Sequence, residues 1–340
     1  MRRRHAAREL AALGPALGTL LLLAAAVLTL AADAAPAAAA GRTRWIAVSV
    51  ATLWVDPGED RAVEAPSLAV PADPRAWVAG MSVAQKRWLV GKLETQALLG
   101  DEVTVLQTRG AWSRVAVAGQ PTPRDARGYP GWLPTAQLTA RAPEATDRVA
   151  TVTRRTAWLY ASPGLGDKAL EVSCATRLPV LGTGDGWVKV ATPSGGALYA
   201  AAAAVTVRAR GAAQPRPTGA QVVAEARRST GLQYLWAGTS GFGFDCSGFT
   251  HTVFRVLGVT IPRDAAPQSL TGRAVRTRSA LRAGDLVFFR NAAGGVHHVG
   301  ICVGGGRMIH AAHTGAPVAE ASLASEPWAS EFAGGRRLTR

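Results

Sequence analysis

The sequence predicts an α+β protein in which two small all-β barrels precede a domain built from a cysteine-bearing helix packed on an antiparallel sheet. Three observations carry this prediction: a pair of motifs that occurs twice in the N-terminal half, a cysteine that opens an amphipathic helix, and two histidines on later strand-like segments. About 300 residues follow an N-terminal leader, which suits two or three domains better than one core.

The first 40 residues have the order of a secretory signal peptide. Arginines come first, an apolar run follows from about residue 13 to residue 32, and an Ala-rich stretch ends at Ala40. The alternative is an uncleaved signal anchor, because the apolar run is long enough to span a bilayer. We expect cleavage, a secreted or cell-wall-associated product, and no stable membrane association afterwards.

The chain carries a formal net charge of +15, of which the predicted leader, with four arginines and two acidic residues, accounts for +2. A polyanionic surrounding such as a cell wall would attract the remaining basic chain. Arginine usage in an Ala-rich proteome explains the same charge equally well. Because the chain lacks a basic cluster interleaved with aromatic residues, we expect no nucleic-acid partner.

An internal repeat predicts the two barrels. Residues 51–58 resemble residues 156–164, and the pattern Val-Leu-x5-Trp-x2-Val occurs at 105–115 and again at 180–190. Short alternating runs broken by Gly, Pro and Asp favour small β-barrels, and an insertion in the first copy has a helical pattern over 82–93. The predicted segments are the leader at 1–40, the first barrel at 41–143, the second at 144–207, a linker at 208–217 and the C-terminal domain at 218–340.

Cys246 opens the clearest helical pattern of the C-terminal domain. Gly258 ends this pattern, and four apolar residues at i, i+4, i+7 and i+8 spacing form one face: Phe249, Val253, Val256 and Leu257. Unpaired N–H groups and the macrodipole at a helix N-terminus lower the pKa of a thiol. The chain has three cysteines, so at least one thiol is unpaired, and Cys246 is a candidate nucleophile.

Two histidines fall on a predicted hairpin that follows a strand over 284–289. Alternation over 296–303 puts His298, Gly300 and Cys302 on one face. With a three-residue loop, His310 on the next strand lies opposite Gly300 and diagonally adjacent to His298, roughly 7 to 8 Å away between Cα atoms. A two-residue loop would place the histidines on opposite faces, so a shared site predicts the longer loop.

A thiolate, an imidazole that pairs with it and a third polar group that holds the imidazole tautomer form a hydrolytic arrangement. Cys246, His298 and His310 can fill these roles in that order. A metal site formed by histidines is the alternative, but no carboxylate or cysteine pair accompanies them, so we expect no metal and no cofactor. Cys302 is expected to be a packed strand residue, and His251 to lie at the surface or the rim of the site.

Six ordered segments resemble the NlpC-type papain-like cysteine peptidases, which hydrolyse bacterial cell-wall peptides. The resemblance covers about 216–340 and runs through 234–239, 244–249, 261–264, 281–288, 298–301 and 308–311. It implies a papain-like catalytic domain with Cys246 as nucleophile, His298 as base and His310 as the orienting residue. It also implies that the Tyr234 hydroxyl and the Cys246 backbone N–H stabilise the oxyanion.

The two barrels extend the resemblance, because bacterial SH3-like domains commonly precede this catalytic domain. The chain is similar to the γ-D-glutamyl-L-diamino acid endopeptidases, in which the first such domain narrows the cleft and recognises the free amine of an N-terminal L-Ala. Opposite charge and acceptors stabilise a desolvated ammonium group. The chain departs from the family pattern at Ala265, a serine in some relatives, and at Ala237, usually a glycine. The resemblance implies four substrate-contacting residues: Glu94, Tyr129, Asp245 and Ser247.

Three functions from different classes remain. The first is a secreted endopeptidase that cuts between γ-D-Glu and the diamino acid, Lys or diaminopimelate, of stem peptides or muropeptides with a free L-Ala. The second is an amidase or acyltransferase on the same fold. The third is a wall-binding protein without activity, which the complete set of Cys246, His298 and His310 argues against. We expect a monomeric enzyme of the first kind.

Overall fold

The computed structural model describes residues 41–193, 195–212 and 214–340. The predicted leader at 1–40 lies outside these ranges. Within them, none of the helices has the length and apolar character needed to cross a membrane. The described chain forms two β-rich domains followed by a domain of helices and strands.

The first domain is a β-sheet interrupted by a short helical insertion. The insertion is shorter than predicted at its end, because Gly91 adopts a φ of 78° and residues 89–92 form turns. The elements are β1 (Arg42–Ile46), β2 (Val50–Trp54), α1 (Ala65–Leu68), α2 (Pro74–Gly80), α3 (Val83–Trp88), β3 (Leu93–Leu98), β4 (Glu102–Arg109), β5 (Trp112–Val117), β6 (Tyr129–Pro134) and β7 (Leu138–Thr139). The strand order in the sheet is β3-β2-β6-β5-β4-β1-β7.

The second domain repeats the first without the insertion. Its strands are β8 (Arg148–Val152), β9 (Thr156–Tyr160), β10 (Lys168–Ser173), β11 (Arg177–Gly184), β12 (Trp187–Ala191), β13 (Ala197–Ala201) and β14 (Val205–Ala209). The order β10-β9-β13-β12-β11-β8-β14 equals that of the first domain when strands are counted from the start of each. Val105 pairs with Val115 and Val180 with Val190, and the register shifts directly after each pair. The predicted repeat is therefore also a repeat of strand order and bulge position.

The C-terminal domain packs a helix on an antiparallel sheet, as predicted. Its elements are α4 (Gly219–Arg227), β15 (Thr239–Ser240), β16 (Gly243–Phe244), α5 (Cys246–Val256), α6 (Ala265–Gln268), β17 (Arg273–Val275), β18 (Leu286–Arg290), β19 (Val296–Gly304), β20 (Arg307–Ala311), β21 (Val318–Ser322) and β22 (Phe332–Arg337). The sheet order is β17-β22-β18-β19-β20-β21. Helix α5 begins at Cys246 and ends before Gly258, which has a φ of 83°, so the predicted helix is confirmed.

The hairpin of β19 and β20 has the predicted register but not the predicted loop. Ile301 pairs with Ile309 and Cys302 with Met308, and the same register places His310 opposite Gly300. Beyond this pair a bulge shifts the register, so the strands close over a two-residue turn at 305–306. The three-residue loop was wrong because the bulge absorbs the extra residue, which keeps both histidines on one face.

The first barrel and the C-terminal domain share one hydrophobic core. The Trp236 Nε1–H donates to the Leu93 carbonyl at 3.1 Å, and the Thr239 hydroxyl donates to the Gln96 carbonyl at 2.9 Å. These contacts hold β3, and with it Glu94, against the C-terminal domain. The shared core includes Trp54, Trp77, Leu93 and Trp132 from the first domain and Leu235, Phe244, Phe249 and Phe254 from the last.

Candidate active site

A cavity of about 610 Å³ opens between the first barrel and the C-terminal domain. Its lining contains seven of the eight residues predicted from the sequence: Glu94, Tyr129, Tyr234, Asp245, Cys246, Ser247 and His298. The eighth, His310, is buried and contacts His298. The structure therefore brings the predicted residues together from two domains that are distant in sequence.

Cys246 occupies the first position of α5 and is partly buried. Burial, and then the neighbouring Asp245 carboxylate, raise the pKa of Cys246 to about 12, while the backbone N–H groups of Val299 and Ser247 oppose the rise. The predicted lowering by the helix N-terminus is thus outweighed. The thiol is protonated at neutral pH, so a base has to remove its proton as the sulfur attacks.

His298, the predicted base, contacts a second histidine. His298 Nε2 and His310 Nδ1 are 2.8 Å apart, and both side chains are buried. Burial lowers the pKa of both imidazoles, that of His310 to about 4, so both rings are neutral near pH 7. With His310 Nδ1 as acceptor, His298 carries its proton on Nε2 and keeps Nδ1 unprotonated. This is the tautomer in which His298 can accept a proton from a thiol.

The absence of a side chain at Gly300 allows the two histidines to meet. A Cβ atom at this position would lie 3.2 Å from His310 Cβ and 2.8 Å from Met308 Sδ. Gly300 stands between His298 and Cys302 on β19, directly across from His310. A larger residue would push His310 away from its partner.

An aromatic residue that the sequence analysis did not identify covers the histidine pair. The Trp328 ring stacks on His298 with ring centroids 4.7 Å apart, and Phe289 packs edge-on against Trp328 at 4.8 Å. Trp328 lies between β21 and β22 in a segment without periodicity or motif, so its residue type was the only available signal. The stack covers one face of the His298 ring, and an aromatic face in this position attracts a protonated imidazole.

Arg263 holds the polar groups beside the nucleophile. It is fully buried and donates to the two Asp245 oxygens at 3.2 and 2.6 Å and to the Ser247 hydroxyl at 2.9 Å. Asp245 also caps α5, because its Oδ1 accepts the Gly248 N–H at 2.6 Å. The predicted substrate residues Asp245 and Ser247 therefore line the cavity with their polar atoms already paired.

The end of the cavity at the first barrel carries a second polar network. Glu94 forms a bidentate ion pair with Arg124, which also donates to the Tyr129 hydroxyl at 3.2 Å. That hydroxyl donates to Asp264 Oδ2 at 2.9 Å, and Asp264 Oδ1 lies 3.6 Å from Arg263. Burial raises the pKa of the Asp264 carboxyl. Asp264 was missed, although its position in the Ile-Pro-Arg-Asp segment directly before α6 was a signal.

The charged groups around the cavity include more carboxylates than guanidinium groups. With every group ionised, three carboxylates face two guanidinium groups, which leaves a net charge of −1. One cation would neutralise it, and buried charges are stable only when paired. The groups are Glu94, Asp245, Asp264, Arg124 and Arg263.

The two departures from the family pattern both line the cavity. Ala237 has a φ of 62°, a left-handed conformation that explains why glycine is usual at this position. Ala265 presents only a methyl group where some relatives have a hydroxyl. The site therefore lacks one possible polar contact to a ligand.

The expectations for His251 and Cys302 have different outcomes. His251 was expected at the surface or the rim, but it is 1% exposed because its side of α5 packs on the loop before Arg263, where Nδ1 donates to the Ile261 carbonyl at 2.9 Å. Cys302 is packed in the sheet, as expected, and all three cysteines are free thiols. Among the described residues, no three His, Cys, Asp or Glu side chains are arranged to hold a metal.

Known proteins resemble this chain over most of its length. A γ-D-glutamyl-L-lysine dipeptidyl-peptidase from Bacillus cereus is 43% identical over 300 residues, which cover 86% of this chain and 90% of the relative. The enzyme of the same name from Bacillus subtilis is 35% identical over 293 residues, covering 85% and 96%. The crystal structure of an NlpC/P60 family protein from Bacillus cereus superposes with a TM-score of 0.83 at 41% identity, covering 88% of this chain and all of that one.

A thiol at a helix N-terminus, packed near a sheet that carries a buried histidine pair, is the arrangement of the papain-like cysteine peptidases. The model of the NlpC/P60 family matches residues 231–337. Models described as the bacterial dipeptidyl-peptidase Sh3 domain and the YKFC SH3b2 domain match 91–138 and 152–207. The chain belongs to the NlpC/P60 family of cysteine peptidases, with two SH3b domains before the catalytic domain.

Proposed function

We propose that the protein is a γ-D-glutamyl–diamino acid endopeptidase that releases L-Ala-γ-D-Glu from peptidoglycan stem peptides with a free N-terminal L-Ala. The two Bacillus relatives, named γ-D-glutamyl-L-lysine dipeptidyl-peptidases, support peptidase activity on substrates of the peptidoglycan type. The observation that carries the finer proposal is the meeting of Glu94 and Tyr129, from the first SH3b domain, with Asp264 in the cavity of Cys246.

The free amine is the part of the substrate that fits this end of the cavity. A net charge of −1 and the oxygens of Glu94, Tyr129 and Asp264 suit one ammonium group. A blocked or glycan-linked L-Ala lacks that charge and needs additional space where the first SH3b domain borders the cavity. Loss of the charge would remove the charge-assisted hydrogen bonds between the ammonium group and these oxygens. These properties support selection of stems already freed from glycan.

In the proposed mechanism, His298 takes the thiol proton as Cys246 Sγ attacks the γ-carbonyl carbon of D-Glu. The oxyanion that forms is stabilised by the Cys246 backbone N–H and the Tyr234 hydroxyl. Protonated His298 then gives its proton to the leaving amine of the diamino acid, the C–N bond breaks, and a thioester remains. Water, activated by His298, hydrolyses the thioester and returns the thiol. His310 keeps the His298 tautomer required in each step.

Defined stem peptides with free and with N-acetylated L-Ala test the proposal. We expect cleavage after γ-D-Glu in the free peptide and a kcat/KM about a hundredfold lower for the acetylated one, because the hydrogen bonds of the ammonium group, worth about 1.5 to 3 kcal/mol each, are lost. Cys246→Ala should abolish turnover while the fold is retained. Equal cleavage of the two peptides would contradict amine recognition, and activity in Cys246→Ala would contradict the mechanism.

Export is part of the proposal. The order of basic, apolar and Ala-rich residues in 1–40 supports a secreted or cell-wall-associated enzyme. N-terminal sequencing of protein from the culture medium tests this, and we expect a mature chain that begins near residue 41. Recovery of the full-length chain in the membrane fraction would instead favour the signal anchor.

A further inference from the structure

A second cavity, of about 330 Å³, adjoins the active-site cavity. The two share Val296 on β19, two residues before His298. Helix α6 and the residues after it border both, since residues 265–266 line the first cavity and residues 269–270 the second. The volume lies at the lower end of the range for small-ligand sites, about 300 to 1,000 Å³. The two cavities are therefore neighbours that meet at Val296 and α6.

The second cavity, named here the arginine groove, is strongly basic. Its lining includes Arg276, Arg290 and Arg336 and, among the described residues, no acidic side chain. Arg336 donates to the backbone carbonyls of Ser269 and Gly272. Within the described part of the chain, the guanidinium groups of Arg276 and Arg290 form neither a hydrogen bond nor an ion pair. Two cations are thus available to an anionic ligand.

Neighbouring groups leave the arginine groove open and uncompensated. The Arg290 backbone N–H donates to the Glu331 carbonyl at 2.8 Å, but the Glu331 carboxylate lies 3.0 Å from His297 Nε2, outside the groove. Gly334 and Gly335 of β22 contribute only backbone atoms to the lining of the groove. The groove combines a backbone floor with arginine side chains.

In the proposed function, the arginine groove lies on the leaving-group side of the scissile bond. Glu94 and Tyr129 occupy the opposite end of the active-site cavity, where the acyl part of the substrate binds in the proposed function. The leaving amine has to meet His298, which gives it a proton. Val296 is on the same strand and forms the boundary with the groove. In the proposed function, a peptide that continues from the leaving amine past Val296 would approach Arg290, which pairs with Val296.

We propose that Arg276 and Arg290 bind a carboxylate on the leaving side of the substrate, so that the enzyme selects peptides with an anionic group beyond the scissile bond. This inference rests on the proposed function. Guanidinium–carboxylate pairs are charge-assisted and frequently bidentate, which gives both affinity and orientation. The carboxylate comes either from the C-terminus of the diamino acid or from the second carboxyl group of diaminopimelate.

Matched peptides distinguish the two sources. L-Ala-γ-D-Glu-L-Lys with a free C-terminus is compared with its C-terminal amide, and the Lys amide is compared with the corresponding diaminopimelate amide. We expect kcat/KM to be roughly tenfold higher for whichever peptide supplies the recognised carboxylate, mainly through KM. Arg276→Gln and Arg290→Gln should each reduce this preference and leave kcat on the Lys amide unchanged.

Arg273→Gln is the matched control, because Arg273 lies on β17 of the same sheet but does not line the groove. Arg273→Gln should retain the preference for the carboxylate peptide. The unfolding midpoint of each variant is measured to show that its fold is intact. Equal wild-type kcat/KM for the carboxylate and amide peptides, or an undiminished preference in both groove variants, would overturn the proposal. If Arg273→Gln also loses the preference, the proposal is wrong, and the preference comes from general attraction to a basic surface and not from binding in the groove.

Binding of the same peptides to Cys246→Ala, measured by calorimetry, separates the two proposals. We expect the carboxylate peptide to bind Cys246→Ala more tightly than the amide does, and this difference to disappear when Arg290→Gln is added to Cys246→Ala. That result would support carboxylate binding in the arginine groove even if the wild type did not cleave the peptide. If the wild type cleaves the peptides but both bind Cys246→Ala equally well, the proposed function is supported and carboxylate binding in the arginine groove is contradicted.

Discussion

The indole of Trp328 stacks on the imidazole of His298 with an angle of 29° between the rings. The same indole meets His310 edge-on at a centroid distance of 4.9 Å, so it covers the hydrogen bond between the two histidines. A hydrogen bond in such a dry environment is stronger than one in water. In the proposed mechanism, the ring also stabilises the imidazolium that forms when Cys246 gives up its proton. We therefore expect Trp328 to act as a positioning residue.

Replacing Trp328 by Ala should lower kcat by about one to two orders of magnitude, with a smaller change in KM. Because burial is the main cause of the lowered pKa of His298, exposure to water should move the acid limb of the kcat/KM profile to higher pH. Trp328→Phe keeps an aromatic cover and should restore much of the activity. If the acid limb of the kcat/KM profile does not move in Trp328→Ala, Trp328 contributes only to folding and does not position the histidines.

The protonation of Cys246 in the free enzyme can be tested by alkylation. Since the pKa of Cys246 is raised to about 12, reaction with iodoacetamide should be slow at pH 7 and should accelerate continuously up to pH 10. His298→Ala should leave this profile almost unchanged, because Cys246 and His298 are both neutral in the free enzyme. A fast reaction that is constant between pH 5 and pH 8, and that is lost in His298→Ala, would instead indicate a preformed ion pair.

His251 should make the fold sensitive to acid. Burial lowers its pKa from the ordinary 6.5 to about 3. Between these values the unfolded chain binds a proton that the folded chain does not, so the stabilising contribution is complete above pH 6.5 and decreases as pH falls toward 3. The full shift corresponds to roughly 5 kcal/mol. Denaturant unfolding at pH 7, 5.5 and 4 should show this slope, and His251→Asn, which keeps a donor for the Ile261 carbonyl, should flatten it.

Arg124 should compete with the substrate amine for Glu94. Arg124→Gln leaves the carboxylate without its intramolecular cation, so KM for peptides with a free L-Ala should fall about threefold to fivefold, in line with the ~1 kcal/mol of an exposed pair. Arg127→Gln is a suitable control, because Arg127 pairs with Asp125 on the same loop and does not line the cavity. A higher KM in Arg124→Gln would mean that the ion pair holds Glu94 in place for the substrate.

Gly300→Ala tests the requirement for space beside the histidine pair. The added Cβ would clash with Met308 Sδ and crowd His310, so we expect a loss of about 1 to 3 kcal/mol in unfolding free energy and a marked fall in kcat. Gly295→Ala meets only ordinary contacts with Asn291 and should behave like the wild type. Wild-type kcat in Gly300→Ala would show that His310 tolerates displacement.

Local patterns explain why so much of the site could be predicted. The apolar spacing after Cys246 determines a helix, strand alternation determines the face of His298, and pairing parity adds His310 to that face. The repeat of Trp112 and Trp187 likewise predicts the two barrels, because it marks the same hairpin in each.

Long-range packing explains what could not be predicted. The stack of Trp328 on His298 and the pair of Glu94 with Arg124 join segments that share no period or motif. The bulge after Cys302 depends on the backbone conformation of the glycines at 304–306. The spacing of the two histidines in the sequence does not determine that conformation. The direction of the Cys246 pKa shift was also inaccessible, because a helix N-terminus is visible in sequence whereas burial is not.

The core shared by the first barrel and the catalytic domain has a consequence for the catalytic cycle. Strand β3 is held by Trp236 and Thr239 before any ligand arrives, so Glu94 is delivered to the cleft once, when the chain folds. An enzyme with a hinged lid must instead close over each new substrate. In the proposed function, selectivity for the free amine therefore depends on the stability of the folded chain and not on the rate at which a lid closes.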